Sequence, residues 1–275
     1  MICVKDFALK IEVLDRRPFI EITTNSCCIM NCHYCPQEVF KRAYKGRNQL
    51  SLSDFQSVVR ELPKNIIVTF SGFSEPFLNQ DCVDMIEYAK SLGHQVHLYS
   101  TLVGLNIDDI DRLKGKVDLF WVHLPDNLNN AKIPITENYK SVLIKTLKDM
   151  RVDGFSVMNE SFNSNDRAGS CNGAKQIKIN GWFNCSLLKT GSFVMLPNCD
   201  AVLCCMDFGL RHKIGNLLLS SYQELLDCEV FKKIRRNRLQ FSGDVLCRRC
   251  YFASPLYKDV IRGFVGYSYK LVKSF

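Results

Sequence analysis

The chain has 275 residues, of which 47% are hydrophobic and 23% charged, a composition typical of a globular protein with a sizeable core. No uncharged apolar run approaches the ~18 residues needed to cross a bilayer, and the N-terminal residues lack a signal segment. Fourteen cysteines are too few for a small disulfide scaffold. Together these features predict a cytoplasmic protein without membrane contact, whose clustered cysteines bind metal instead of forming bridges.

The net charge is +8, and part of the basic excess lies at residues 231–240 and 247–250. Such an excess favours anionic partners, for example a phosphorylated or nucleotide-linked metabolite or an acidic redox protein. A solvated basic helix face explains it equally well, because no nucleic-acid motif accompanies the charge. We therefore expect no nucleic-acid partner.

Short β-rich segments alternate with helical patterns up to about residue 158, which indicates βα units on a parallel sheet. Strands are predicted at 18–24, 65–72, 95–101, 117–124 and 154–159, and helices at 52–62, 80–93 and 136–151. The polar stretch 160–175 is predicted to be a long loop. Beyond it, residues 180–260 hold seven of the fourteen cysteines, short strands and one helical stretch at 220–237. The sequence thus predicts an α/β domain over residues 1–175 and a smaller α+β domain over residues 176–275.

Cys28, Cys32 and Cys35 form a C-x3-C-x2-C motif between the first predicted strand and a helix, where the ends of parallel strands collect ligands. Three thiolates on one loop suit a [4Fe–4S] cluster, because its fourth iron then stays open for another ligand. A structural zinc site is the alternative, although it usually has paired CxxC units and a fourth ligand. Cys27 lies outside the spacing and is interpreted as a bystander.

The motif resembles the radical S-adenosylmethionine (SAM) superfamily, in which an aromatic residue, here Tyr34, precedes the third cysteine. The resemblance implies a partial, TIM-like (β/α) barrel of about five to six parallel strands. It also implies that SAM binds the open iron and is cleaved by one electron to a 5′-deoxyadenosyl radical, which abstracts a substrate hydrogen. The segment FSGFSEPFLN resembles the family's Gly-Gly-Glu-Pro strand end, which implies SAM contacts from Gly72, Ser74 and Glu75.

Other polar residues at predicted strand ends extend the resemblance. Ser100 and Thr101 stand where the family places groups that contact SAM, although they could instead cap the next helix. His123 and Glu160 end later strands and are expected to face the same cavity, unless they are structural polar groups. Arg167 lies in a segment like the Arg-Ala-Gly-Asn of relatives with auxiliary clusters, and is expected to face the active site.

A second set of cysteines resembles the family's SPASM/Twitch auxiliary domain. The resemblance rests on NCDAVLCCMD at 198–207 and on IGNLLLSSYQELL, which follows at 214–226. It implies that one auxiliary [4Fe–4S] cluster is ligated by Cys185, Cys204 (with Cys205 as the alternative), Cys247 and Cys250. Because no cysteine follows Cys250, the shorter Twitch form fits best, with a four-cysteine zinc ribbon as the alternative.

A fully ligated cluster cannot bind SAM and is suited to electron transfer, which indicates an oxidation. The leading hypothesis is a radical SAM dehydrogenase or epimerase acting on a sugar, cyclitol or nucleotide-linked sugar, with a flavodoxin- or ferredoxin-type electron donor. Cys171 is the candidate thiol for epimerisation, because a thiol can return a hydrogen atom to a substrate radical. The alternatives are a maturase of ribosomally made peptides and a non-catalytic iron–sulfur or zinc-binding protein.

Overall fold

Alternating strands and helices form the first half of the chain, as the sequence predicts. The computed structural model describes residues 17–30, 32, 34–159, 167–171 and 177–257, so that the candidate residue Glu160 lies outside the described residues. The strands are β1 (Phe19–Ile22), β2 (Ile67–Phe70), β3 (Val96–Ser100), β4 (Leu119–Leu124) and β5 (Gly154–Val157). The helices are α1 (Gln37–Ala43), α2 (Leu52–Glu61), α3 (Cys82–Ser91), α4 (Asp109–Leu113) and α5 (Glu137–Asp149), and a short 3-10 helix (Pro76–Leu78) follows β2.

The C-terminal region is built from shorter elements. Its strands are β6 (Phe183–Asn184), β7 (Phe193–Met195), β8 (Asp200–Val202), β9 (Lys213–Asn216) and β10 (Ser254–Pro255). Its helices are α6 (Ser186–Thr190), α7 (Tyr222–Asp227), α8 (Glu229–Asn237) and a 3-10 helix (Leu246–Arg249).

One eight-stranded sheet runs through both regions, in the order β5-β4-β3-β2-β1-β7-β8-β9. Strands β1 to β5 pair in parallel, and β7 pairs in parallel with β1. The pairs β7–β8 and β8–β9 are antiparallel. The predicted α/β fold with about five to six parallel strands is therefore confirmed. The C-terminal strands extend the barrel sheet, and the division of the chain at residue 175 stays a prediction.

The register of the strands assigns their side chains to two faces. Ile20 and Ile22 are fully buried and belong to the hydrophobic core, and Glu21 lies between them on β1. Because successive side chains of a strand point to opposite faces, Glu21 projects from the other face of the sheet. Glu21 pairs with Thr69 of β2, which pairs with His97 of β3, so this second face carries a polar row. We call this face the barrel interior.

The helical stretch predicted at 220–237 is divided in the structure. Cys228 ends α7 and begins α8 with an extended backbone (φ −66°, ψ 152°), and its thiol accepts a hydrogen bond from the Phe231 N–H at 3.4 Å. The helix pattern of the side chains continues across this break, so the sequence periodicity did not reveal it. Among the described helices, none is long and apolar enough to cross a membrane.

The loop after β3 packs closely against the 3-10 helix. Gly104 has a positive φ of +92°, and a Cβ at this position would lie 2.4 Å from the Phe77 carbonyl oxygen. Gly93 has a similar φ of +83°, but a Cβ there would meet nothing within 4 Å. The two glycines therefore share the conformational requirement and differ in the available space.

We expect Gly104→Ala to lower the free energy of unfolding by about 1–3 kcal/mol more than Gly93→Ala, because the added methyl must displace backbone atoms. Gly93→Ala should cost only the roughly 1–2 kcal/mol of a left-handed residue. Urea unfolding of both variants measures the difference. Equal losses would show that the loop does not depend on this close approach.

Candidate functional site

The cysteine loop lies between β1 and α1, at the C-terminal ends of the parallel strands. The Cys35 N–H donates to the Cys32 carbonyl at 3.0 Å, which folds the loop back on itself. The Cys32 thiol donates to the Ala131 carbonyl at 3.1 Å, and the Cys35 thiol donates to the Gln37 side-chain oxygen at 3.6 Å. The loop is thus held on two sides by the barrel and by α1.

The three thiols influence each other's ionisation. Burial raises the pKa of Cys32 to about 11, and the charge of Cys28 raises it further. Burial raises the pKa of Cys35 to about 12, the Arg167 guanidinium opposes this shift, and Cys32 and Cys28 add to it. Binding of iron would supply the positive charge that deprotonates such thiols.

The donor set fits an iron–sulfur cluster, because it consists of soft thiol ligands on one loop. Asn31 and His33, between the cysteines, lie outside the described residues. Among the residues that the structure does describe, no three His, Cys, Asp or Glu side chains are placed to hold a single metal ion.

The buried Glu75 carboxylate organises the strand ends beside this loop. The Ser100 hydroxyl donates to it at 2.5 Å, and the Thr101 N–H and hydroxyl donate at 2.8 and 2.7 Å. Burial raises the pKa of Glu75, and the hydrogen bonds from Ser100 and Thr101 oppose that rise. Ser100 and Thr101, which we predicted to contact SAM, therefore lie at the expected strand end and donate to Glu75.

The segment before Glu75 approaches β1 closely. Gly72 has a φ of +79°, and a Cβ there would lie 2.3 Å from the Thr23 hydroxyl. The Ser74 hydroxyl oxygen is buried and has no hydrogen-bond partner among the described residues. A buried hydroxyl without a partner is costly, so Ser74 is available to a bound ligand.

The barrel interior holds a polar cluster below this loop. Glu21 accepts hydrogen bonds from the Ser71 hydroxyl at 2.8 Å and from the Gly72 N–H at 3.2 Å. The rings of Tyr99 and His123 are 6.5 Å apart. Burial lowers the pKa of His123 to about 4, and the positive charge of Arg167 lowers it further, so His123 is neutral at pH 7.

The positive charge of Arg167 lowers the pKa of Cys35 in the cysteine loop, of His123 in the barrel interior and of Cys205 in the C-terminal region. Its guanidinium carbon is 5.9 Å from the centre of the Phe208 ring. Arg167 itself has a φ of +48°, a sparsely populated conformation for a residue other than glycine. Such strain is often found at functional sites.

Cys171 follows Arg167 and lies beside the cysteine loop. Its thiol donates to the Tyr34 carbonyl at 3.4 Å, and its charge affects the pKa of Cys35. The Tyr34 side chain is buried, which raises its pKa, and the charge of Cys32 adds to the rise. Tyr34, Cys171 and the cluster-loop cysteines therefore form one group.

The four cysteines predicted to hold the auxiliary cluster also affect one another. Burial raises the pKa of Cys247, with further contributions from Cys185 and Cys250. Burial raises the pKa of Cys204 as well, and Cys205, Cys250 and Cys247 add to it. Cys205 differs, because the charges that act most strongly on its thiol are those of Glu21 and Arg167.

Arg248, between Cys247 and Cys250, is a residue whose role the sequence analysis missed. Its side chain is buried, and it donates hydrogen bonds of 2.7–3.1 Å to the carbonyls of Ile179, Gly181, Asn237 and Gln240 and to the Asn237 side chain. Its guanidinium carbon also lies 5.1 Å from the centre of the Phe183 ring. No local pattern within CRRC distinguishes it from Arg249, which is exposed.

Glu21 and Gln37 were also missed. Glu21 is the polar residue in the apolar strand FIEI, a pattern that could have placed it in the barrel interior. Gln37 follows Cys35 by two positions, and this closeness in the sequence was the available signal.

We expect Arg248→Lys to lower the free energy of unfolding by about 3 kcal/mol, because a lysine cannot reach the same set of carbonyls and leaves buried acceptors unpaired. Arg249→Lys is the matched control: Arg249 is 58% exposed and faces Asp244 at 3.5 Å, so the change should cost no more than about 0.5 kcal/mol. Denaturant unfolding measures the stability of the two variants, and iron analysis of the reconstituted proteins measures their cluster content. Equal effects would show that Arg248 does not hold the CxxC segment.

The comparisons with known proteins agree with this geometry. Residues 185–251 match the SPASM family, described as an iron–sulfur cluster-binding domain, and this range contains Cys185, Cys204, Cys247 and Cys250. No curated protein sequence matches the chain.

Three solved structures share the fold at low sequence identity. BtrN in complex with AdoMet and 2-DOIA has a TM-score of 0.62 and 14% identity, covering 82% of this chain and 88% of BtrN. Native anSMEcpe with bound AdoMet has a TM-score of 0.54 and 13% identity, covering 85% of this chain and 86% of anSMEcpe. SuiB of Streptococcus suis, bound to the precursor peptide SuiA, has a TM-score of 0.52 and 13% identity, covering 89% of this chain and 72% of SuiB. The predicted resemblance is thereby confirmed: the chain has the fold of radical SAM enzymes and carries a SPASM domain at its C-terminal end.

Proposed function

We propose that the protein is a radical SAM oxidoreductase that oxidises or epimerises a sugar, cyclitol or nucleotide-linked sugar. The observation that carries the proposal is the convergence of the cysteine loop, the Glu75 strand end and a polar barrel interior at the C-terminal ends of the strands. SAM, bound at a [4Fe–4S] cluster with one open iron, would supply the 5′-deoxyadenosyl radical that abstracts a substrate hydrogen.

In this proposal the chain's own residues bind and orient SAM with its cluster and the substrate. Cys28, Cys32 and Cys35 hold the cluster, and Tyr34 covers it from the loop. Glu75 keeps the ends of β2 and β3 together through Ser100 and Thr101. Gly72 permits the close approach of backbone to β1.

The Ser74 hydroxyl is a further SAM contact in this proposal, because it is buried and has no other partner among the described residues. BtrN and anSMEcpe were both solved with AdoMet, which supports SAM as the cofactor here.

The substrate lies in the barrel interior in this proposal. Glu21 offers a carboxylate, His123 a neutral imidazole and Arg167 a guanidinium, a combination suited to a molecule with several hydroxyl or amino groups. Glu160 follows β5 in the sequence and is proposed to line the same cavity. BtrN was solved with 2-DOIA, and the sequence resembles the butirosin-pathway aminocyclitol dehydrogenase, which supports a carbohydrate-like small molecule.

The auxiliary cluster would accept the electron released when a substrate radical becomes a ketone, with Cys185, Cys204, Cys247 and Cys250 as its ligands. Cys204 is preferred over Cys205 because both Cys247 and Cys250 raise the pKa of Cys204, whereas Glu21 and Arg167 act more strongly than Cys250 on the pKa of Cys205. If the enzyme is instead an epimerase, Cys171 is the proposed hydrogen donor. The electron donor is proposed to be a flavodoxin- or ferredoxin-type protein, and the location cytoplasmic.

The second candidate is a maturase that modifies a ribosomally made peptide. SuiB, solved with its precursor peptide, and anSMEcpe, solved with the peptide Kp18Cys, favour it. A mass change in a co-expressed precursor peptide would support this reading, and ketone formation on a cyclitol would support the first. A non-catalytic iron–sulfur or zinc-binding protein is the third candidate, and it would yield no 5′-deoxyadenosine.

We expect Cys32→Ala to abolish reductive SAM cleavage, because the cluster with the open iron loses a thiolate. Anaerobically reconstituted wild type should hold about eight irons and the variant about four. Cys27→Ala is the matched control, since Cys27 is an exposed cysteine of the same loop outside the motif. Iron and 5′-deoxyadenosine are measured together. Retained cleavage in Cys32→Ala would contradict the assignment of this loop.

Cys247→Ala should remove about four irons but leave the N-terminal cluster, because its ligands lie on a different loop. SAM cleavage should persist while oxidised product is lost, since the substrate radical then has no electron acceptor. Chromatography of 5′-deoxyadenosine and of a cyclitol substrate such as 2-deoxy-scyllo-inosamine separates the two activities. Unchanged product formation would refute the electron-acceptor role.

A further inference from the structure

The first residue of α1, Gln37, is buried beside the cysteine loop, with 5% of its surface exposed. Its side-chain oxygen accepts a hydrogen bond from the Cys35 thiol at 3.6 Å. Its side-chain nitrogen is buried as well, and among the described residues it has no hydrogen-bond partner. A buried amide with one half satisfied and the other half unpaired is unfavourable unless a further partner is present.

The contact between Gln37 and Cys35 exists only while the Cys35 sulfur carries a proton. A cysteine that ligates iron is a thiolate, which has no proton to donate and repels the partial negative charge of an amide oxygen. Rotation of the terminal amide exchanges the positions of oxygen and nitrogen without changing the volume of the side chain. The nitrogen then donates to the sulfur, and the buried oxygen tolerates the lack of a partner better than the nitrogen does.

We propose that Gln37 is a positioning residue for the N-terminal cluster, whose side-chain N–H donates a hydrogen bond to the Cys35 thiolate and raises the reduction potential of the cluster. This inference rests on the proposed function, in which Cys35 is a cluster ligand. The reduced cluster is one charge more negative than the oxidised cluster, so a hydrogen-bond donor at a ligand sulfur stabilises the reduced form more.

The test is an EPR-monitored redox titration of reconstituted protein in the absence of SAM. The reduction wave that Cys32→Ala lacks identifies the N-terminal cluster. In Gln37→Leu, which removes the donor at similar volume, the ratio of reduced to oxidised cluster at a fixed potential should fall about tenfold, a shift of ~59 mV to lower potential. The reduction wave of the auxiliary cluster should stay unchanged.

Gln37→Glu provides a second, isosteric variant. A carboxylate cannot donate to the sulfur and adds a negative charge beside it. The reduction potential of the N-terminal cluster in this variant should therefore lie below that of wild type. Glu38→Gln is the matched control, because Glu38 is exposed on the same helix and pairs with Lys41 at 3.1 Å, where solvent screens the change.

Potentials that match wild type in both Gln37 variants would overturn the inference and leave the proposed function intact. Loss of iron without a shift in the remaining N-terminal cluster would also overturn it, since that result indicates a packing role alone. If Cys32→Ala retains every reduction wave of wild type, the inference and the proposed function fail together.

Discussion

The geometry of the candidate site depends on the buried carboxylate of Glu75. It accepts hydrogen bonds from Ser100 and Thr101 at the end of β3, and its own backbone carbonyl accepts one from the Asn25 side chain at 2.9 Å, just beyond β1. Glu75 thus joins the ends of three neighbouring strands. Hydrogen bonds to a charged group are worth roughly 1.5–3 kcal/mol each, but removing the carboxylate from water costs several kcal/mol. The net contribution is therefore to geometry more than to stability, because few other arrangements satisfy so many donors at once.

A second constraint is the continuity of the sheet. β1 pairs directly with β7, so the strand that leads into the cysteine loop is hydrogen-bonded to the first strand within residues 185–251, the range that matches the SPASM family. The two sets of cysteines therefore belong to one hydrogen-bonded framework, and their separation does not depend on a flexible linker.

The sequence predicted what depends on spacing and alternation. The C-x3-C-x2-C motif, the five strands with their polar ends, and the C-terminal cysteines are local patterns. The structure has the five strands at the predicted positions, and the cysteine loop follows the first of them. The sequence did not predict that Ser100 and Thr101 donate to Glu75, that Cys228 separates two helices, or that Arg248 is buried. These features depend on contacts between residues far apart in the chain. Arg248, for example, donates to the Ile179 carbonyl 69 positions away, which no local pattern encodes.

The structure shows that part of the basic excess of the chain is paired or buried within the protein. In the basic segment 247–250, the charge of Arg248 is buried among backbone carbonyls. In the basic segment 231–240, Arg236 pairs with Glu229 at 2.9 Å on the surface. Within the described barrel interior, Glu21 accepts hydrogen bonds from Ser71 and Gly72, and burial keeps His123 neutral. The proposed substrate site therefore combines a carboxylate with a neutral imidazole, and both can form hydrogen bonds with the hydroxyl and amino groups of the substrate class proposed above.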